Sequence, residues 1–417
     1  MSVAAAGDET AGDRGLDSLF EKHGERVRVL LQALSGDGHA VGEGTPYDEI
    51  WALRFVLSHP EDAEAARNAA ETLRWRAENK DMLAAAARGE RLKRFESIEP
   101  LVVAQYHGET STGAPLYIIR AGISNTMALT NTHTHEQMVE FLMYRKELGF
   151  LLCDAITRKT NKLTKLVTVN DLSHVSLLAG TDKRFTAVLG AASKLSETLY
   201  PQLLDRAVLI NAPYIFGAIW SIIKGLMSAN TRAKVAVCGS SDTRKGDISK
   251  CPFAKLINLH TVPSFLGGGC RCVGGCVSGV SNEQTAMVGM SDPEDGLTPA
   301  TIAARDKLRV FADVEAGDKV ACYVRIEQRG VEIAAALRPA SGGKRAETAL
   351  LAKFKHKSDL GAWEEIIDVS QKGTLVLELN NEYSLLNSKS VKYRVAVLEA
   401  SDAKSESNDA NANARQR

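Results

Sequence analysis

Between Tyr200 and Pro213 the chain reads Tyr-Pro-Gln-Leu-Leu-Asp-Arg-Ala-Val-Leu-Ile-Asn-Ala-Pro. Pro201 breaks the apolar helical run that precedes it, since proline has no amide proton to give a helix. A charged pair, Asp205-Arg206, leads into a short apolar strand, Ala207 to Ile210, and a turn closes it at Asn211-Ala212-Pro213. Phe216, Ile219, Trp220, Ile223 and Met227 follow at spacings that put them on one helix face. A strand held between two helical patterns by turn residues is the signature of an α/β layer.

The same alternation extends to either side. Leu116 to Ile119, Leu166 to Val169, Ala207 to Ile210 and Val235 to Cys238 read as short buried strands. Met138 to Ile156 and Phe185 to Leu199 read as the helices between them. Strands alternating with helices predict a largely parallel sheet. Upstream the period is helical throughout: Leu16, Leu19, Phe20, Val27, Leu30, Leu31 and Leu34, then Trp51, Leu53, Phe55 and Val56. Pro60-Glu61-Asp62 suits a helix start, because acids favour the positive end. Downstream the texture is all-β. Leu308–Val314, Val320–Ile326, Val331–Ala336, Ile366–Val369, Thr374–Leu379 and Val391–Val397 are strand-like and closely spaced, which predicts a β-sandwich.

The expected layout is therefore a tail at 1–15, a helical module at 16–95, an α/β domain at 96–280, a linker at 281–304, a sandwich at 305–398 and a tail at 399–417. Length fits, since 417 residues suggest two or three domains. Lys+Arg and Asp+Glu balance at 51 each, so net charge gives no argument for a nucleic-acid partner. No apolar run reaches the roughly 18–20 residues that span a bilayer. Met1 to Gly15 lacks the basic and apolar regions of a secretory signal. Seven cysteines, an odd number, predict free thiols in a reducing compartment. The expected location is cytoplasmic, with peripheral and reversible membrane contact.

The Tyr200–Pro213 segment resembles the centre of the CRAL-TRIO lipid-binding family. Further matches are Leu53-Arg54-Phe55 with Leu73-Arg74-Trp75-Arg76, Val169-Asn170-Asp171-Leu172, and Phe265-Leu266-Gly267-Gly268. Asn381-Glu382-Tyr383-Ser384 and Ser388 to Tyr393 resemble the final strand pair of GOLD domains. The resemblance implies a multidomain α/β plus all-β chain: an N-terminal helical module, a CRAL-TRIO α/β domain and a C-terminal GOLD-like β-sandwich.

It also implies a ligand and its contacts. In the phosphatidylinositol/phosphatidylcholine transfer branch, tyrosines and a strand hydroxyl surround choline, whose cation the negative ring faces attract. The matching positions are Tyr106 and Tyr117, which flank Gly113-Ala114-Pro115, with Tyr144 and Thr168. Leu166 stands where a second hydroxyl is expected. At the inositol-reading positions Gln202 replaces a glutamate, Leu57-Ser58-His59-Pro60 replaces basic residues, and Lys234 is retained. The helix carrying Phe216, Ile219, Trp220, Ile223 and Met227 corresponds to the family's gate. The implied cofactor is none beyond a bound lipid, which is phosphatidylcholine-like, sterol-like or phosphatidylinositol. The implied partners are that lipid, a membrane surface and a protein reached through the sandwich.

Several residue clusters invite enzyme or metal readings. His133-Thr134-His135-Glu136 lacks the four-residue histidine spacing of a zincin helix, and reads as a polar loop. Asp171, Ser173 and His174 lie on one short segment without a nucleophile elbow. Cys270, Cys272 and Cys276 have no fourth ligand nearby in sequence, so they are expected to be inert, with no metal. The sequence thus predicts a non-enzyme that carries or senses one lipid. The alternative is a trafficking or signalling adaptor whose bound lipid is structural or regulatory.

Overall fold

The computed structural model describes residues 14–175, 182–212, 216, 220, 224–239, 248–251, 254–277, 279–289, 297–340 and 347–398. The chain divides into two units. Among the described residues the first comprises 14–175, 184–212 and 226–289, and the second 182–183, 216, 220, 224–225 and 297–398.

The first unit opens with α1 (Leu16–Gly36), α2 (Glu49–Ser58), α3 (Asp62–Glu78) and α4 (Lys80–Ala87). Leu16, Val27, Leu30 and Leu34 form the buried stripe of α1. Asp48 caps α2 by accepting from the Ile50 and Trp51 amides, so its carboxylate meets the positive helix end. Helix α2 is buried from Trp51 through Val56, and α3 packs through the small residues Ala65 and Ala69.

A five-stranded sheet follows: β1 (Ala104–Glu109), β2 (Pro115–Arg120), β3 (Leu166–Asp171), β4 (Leu204–Ala212) and β5 (Val235–Gly239). Their spatial order is the sequence order. Strand β1 runs antiparallel to β2, and the β2–β3, β3–β4 and β4–β5 pairs are parallel. The connecting helices are α5 (Thr126–Thr132), α6 (His135–Thr160), α7 (Lys183–Leu199) and α8 (Ala229–Ala233). One sheet face carries Tyr117 and Leu166 into a core shared with α1, α2, α3 and α6. The other carries Leu116, Ile118, Val167, Val169, Val208 and Ile210 into a core with Ile257, Val262 and Leu266.

Helix α6 is fastened to α3 by a buried charge pair. Arg76 donates twice to Glu147, at 2.9 and 2.8 Å, and the Tyr200 hydroxyl donates to the same carboxylate at 2.9 Å. Arg76, from the Leu-Arg-Trp-Arg motif, thus ties the helical module to the sheet domain.

The second unit is a sandwich of two antiparallel four-stranded sheets. Its strands are β6 (Thr298–Ile302), β7 (Lys307–Val314), β8 (Lys319–Ile326), β9 (Gly330–Pro339), β10 (Thr348–Lys357), β11 (Trp363–Asp368), β12 (Gly373–Asn380) and β13 (Lys389–Leu398). The orders are β10-β9-β12-β7 and β11-β8-β13-β6. Both sheets feed one core, with Val320, Val324 and Val391 from one side and Ile333, Leu375 and Leu377 from the other.

Three expectations change. The sandwich begins at Thr298, inside the stretch read as a linker, because Thr298–Ile302 pairs with β13. Residues Ser281 and Gln284 of that stretch instead accept hydrogen bonds from Arg120, so they pack on the first unit. Cys238 and Cys251 are joined by a disulfide, so the seven cysteines are not all free. The tails at 1–13 and 399–417 lie outside the described residues. Among the described residues no helix is long and apolar enough to cross a membrane.

Candidate functional site

Register places Tyr106, Tyr117, Thr168 and Ala207 opposite one another across β1, β2, β3 and β4. Residues paired in register share a face, so this row runs across the sheet under α6. Tyr106 stacks on Tyr117 with centroids 4.5 Å apart. The Tyr106 hydroxyl donates to the Arg145 carbonyl at 2.5 Å. Burial pushes the Tyr106 phenol well above its ordinary range. Gly149 makes this approach possible, since a Cβ there would lie 2.5 Å from the Tyr106 hydroxyl oxygen.

The cation over the tyrosines is Arg145. Its guanidinium carbon lies 5.7 Å from the Tyr106 centroid and 5.4 Å from that of Tyr117. Its Nε donates to the Tyr117 hydroxyl at 3.3 Å and its Nη2 to the Ala104 carbonyl at 2.8 Å. The row is therefore polar, aromatic and positively charged. Sequence reasoning did not single out Arg145.

Tyr144 goes elsewhere. Adjacent helical residues point about 100° apart. Tyr144 accordingly turns into a separate core, 5.2 Å from Phe95, and donates to the Glu90 carbonyl at 2.8 Å. The structure brings together Tyr106, Tyr117 and Thr168, with Arg145 in the place expected for Tyr144.

A second cluster gathers where β3, β4 and β5 begin. Lys165 precedes β3, Asp205 opens β4, and Lys234 precedes β5. Arg14 donates to Asp205 at 2.6 Å. Burial first, and then the charges of Arg14 and Lys234, push the Lys165 ammonium down to about 8. Burial also lowers Lys234, against the pull of Asp205 and Glu197. Beside this cluster, Gln202 adopts a left-handed φ of 59° and donates through Nε2 to Ser58 Oγ at 3.0 Å. Two partly buried ammonium groups with lowered affinity for their protons mark a place that favours added negative charge.

Of the gate residues, Phe216, Trp220 and Met227 are described, while Ile219 and Ile223 lie outside the described residues. The Phe216 and Trp220 rings stack with centroids 6.0 Å apart.

The enzyme-like clusters have other partners. His133 Nε2 meets Ser97 Oγ at 2.8 Å, and Thr134 forms a capping box with Gln137 that starts α6. Asp171 accepts from the Ser173 amide at 3.0 Å and from Asn211 at 2.9 Å. The cysteine cluster departs from expectation, because the structure supplies the fourth partner that the local sequence lacks. His107 of β1 meets Cys270, Cys272 and Cys276.

Residues 101–268 match the family model described as the CRAL/TRIO domain. The Sec14 cytosolic factor of Schizosaccharomyces pombe is 29% identical over 173 residues, covering 41% of this chain and 57% of that protein. A phosphatidylinositol/phosphatidylcholine transfer protein of Arabidopsis thaliana (SFH12) is 27% identical over 233 residues, 54% of this chain and 40% of its own length. The SEC14 cytosolic factor of Eremothecium gossypii is 26% identical over 276 residues, 64% of this chain and 82% of that protein. The chain thus spans about half the length of the first two relatives and most of the third.

Proposed function

We propose that the CRAL/TRIO domain at residues 101–268 makes this chain a carrier that holds one phospholipid and exchanges it at membranes. The observation that carries the reading is the pair of charged features in one unit. The Tyr106–Tyr117–Thr168 row with Arg145 offers hydroxyls and a guanidinium. The cluster of Lys165, Lys234 and Arg14 holds more positive charge than Asp205 offsets. A phosphate group supplies the anion that both lack, and guanidinium and ammonium groups are its usual protein ligands. A sterol offers no such anion, so the lysine cluster favours phospholipid.

Gln202 refines the choice of headgroup. A neutral amide bonded to Ser58 leaves the lysine cluster free of the carboxylate that would read inositol hydroxyls. The proposed ligand is phosphatidylcholine first, with phosphatidylinositol bound through its phosphate alone. Phe216, Ile219, Trp220, Ile223 and Met227 are the proposed gate. Burial of acyl methylenes supplies about 0.8 kcal/mol each. No catalytic step is assigned to the chain.

The sandwich is proposed as a GOLD-like module that meets the membrane. An open hollow of about 680 Å³ there is lined by Arg329, Lys355, Lys357 and Lys389 beside Leu385 and Leu386. Cations around exposed leucines suit an acidic lipid surface.

Lipid extraction of freshly purified protein followed by mass spectrometry is the first test, and about one phospholipid per chain is expected. Movement of labelled phosphatidylcholine between vesicles is the second. Recovery of a sterol alone would overturn the phospholipid reading. Bound phospholipid without transfer would overturn the carrier role in favour of the adaptor.

A further inference from the structure

We infer that His107, Cys270, Cys272 and Cys276 form a mononuclear zinc site that clasps the end of the CRAL/TRIO domain to the edge of its sheet. The ligand atoms of these residues all lie within 4.8 Å of one another. Cys270 Sγ and Cys272 Sγ are 3.5 Å apart. Tetrahedral zinc with thiolates at about 2.3 Å has sulfur–sulfur edges of about 3.8 Å, so the Cys270–Cys272 pair opens slightly while the longer separations close to complete the site. A two-iron cluster spreads its ligands over two metal centres, which a set this compact does not match.

The fourth ligand comes from strand alternation. Tyr106 lies under α6, so its neighbour His107 faces the other side of the sheet. The pairing of β1 with β2 shifts register between Tyr106 and Glu109, which turns His107 within the edge strand. The segment after β5 lies against it: the Asn258 amide donates to the Glu109 carbonyl at 3.1 Å, and the Glu109 amide donates to Thr261 Oγ1 at 3.1 Å. His107 Nε2 is buried and has no hydrogen-bond partner among the described residues. An unpaired buried nitrogen costs free energy unless something binds it. A disulfide between Cys270 and Cys272 would leave both that nitrogen and Cys276 unexplained.

The loop is shaped around the sulfurs. The Cys270 amide donates to the Val262 carbonyl at 3.0 Å, and its carbonyl accepts from the Ser264 amide at 3.0 Å. The Gly275 amide donates to the Cys272 carbonyl at 3.0 Å, closing a turn between the last two cysteines. Gly275 has φ +101°, and a Cβ there would collide with the Val280 carbonyl. Asn282 orients Cys276 from both ends, accepting from its amide at 3.0 Å and donating to its Sγ at 3.3 Å. Amide donors of this kind stabilise a metal-bound thiolate. On binding, zinc replaces three thiol protons, which leave to solvent, and takes the lone pair of neutral His107. The site then carries one net negative charge, with Arg271 between two of its ligands.

The test uses the full chain, purified under reducing conditions without chelator. Elemental analysis is expected to give about one zinc per chain. Cobalt exchange is expected to give the intense visible bands of a tetrahedral site and a near-ultraviolet thiolate band. Cys272 is exposed, so Cys272→Ser keeps the fold by circular dichroism while zinc content falls at least about fivefold. His107→Gln is expected to lose zinc and the tetrahedral cobalt spectrum with the fold likewise intact. Wild-type protein that stays below about a tenth of an equivalent after zinc is supplied would overturn the inference. So would full zinc retention in Cys272→Ser, or an octahedral cobalt spectrum.

Discussion

Lys165 has a partly buried ammonium whose cationic neighbours Arg14, Lys234 and Arg54 oppose its charge, and this makes it a pH-sensitive residue. Its folded value is about 8 against an ordinary 10.5. Between these limits the unfolded chain holds a proton that the folded chain has released. Stability therefore rises with pH across that window, and the penalty is fully present below about 8. Lys165→Met is expected to stabilise the protein at pH 7 by about 1–3 kcal/mol, measured by urea denaturation. Its advantage shrinks towards pH 10, and an equal gain at both pH values would refute this account. An acidic headgroup at the cluster reverses the balance and raises the Lys165 value. Calorimetry in buffers of different ionisation enthalpy should then show proton uptake on binding near pH 8.5. Gly149→Ala acts at the other site, because its Cβ and the Tyr106 hydroxyl claim the same space. It is expected to cost about 1–3 kcal/mol in thermal unfolding and to reduce phosphatidylcholine uptake. The tyrosine pair was singled out through the family resemblance, which Tyr106 and Tyr117 carry by flanking Gly113-Ala114-Pro115. Arg145 was not, because which of two adjacent helical residues reaches the sheet depends on the rotation of α6.

Helix α6 connects the elements of the first unit through Glu147, which is only 1% exposed. Its carboxylate takes both Arg76 donors and the Tyr200 hydroxyl, so three elements share one buried charge. Removing one partner from such a pair strands the other charge. Arg76→Met is expected to cost about 3–5 kcal/mol, and the double variant Arg76→Met with Glu147→Met less than either single change. A double variant as unstable as the sum of the singles would deny the coupling. The strands that sequence reasoning missed have a common position. Strands β1, β6 and β10 each lie at a sheet edge. Edge strands carry polar and charged residues that discourage pairing with other chains. Gln105, His107 and Glu109 do this in β1, and Lys353, Lys355 and Lys357 in β10, so the apolar alternation that betrays a central strand is weak there. The metal ligand His107 was hidden for the same reason. It belongs to a strand that did not read as one, and only the fold carries it to the distant cysteines.

At the scale of the molecule, equal numbers of acids and bases conceal an uneven distribution. Net charge is zero, yet Arg329, Lys355, Lys357 and Lys389 share one hollow of the sandwich with Asp359 as its acid. The mutual repulsion is felt within the hollow: burial lowers the Lys389 ammonium first, and Arg329 and Lys355 add to it. Beside these cations Leu385 is 67% and Leu386 89% exposed, on a loop that stands between two strands rather than in a core. Each cation near an acidic leaflet contributes about 1 kcal/mol, which salt screens. Each leucine that enters the interface contributes up to about 1.5–3 kcal/mol, which salt does not screen. The two contributions are separable. Leu385→Ser with Leu386→Ser is expected to weaken binding to acidic vesicles about tenfold or more at every ionic strength. Lys355→Glu with Lys357→Glu is expected to weaken it mainly at low salt and to flatten the salt dependence. Co-sedimentation with vesicles reads both, and the content of the phospholipid proposed for the first unit should be unchanged in either variant. If the leucine variant binds vesicles as the parent does, the loop is not the membrane contact. If instead it loses its bound phospholipid, the sandwich loop has a role in holding the ligand rather than in docking.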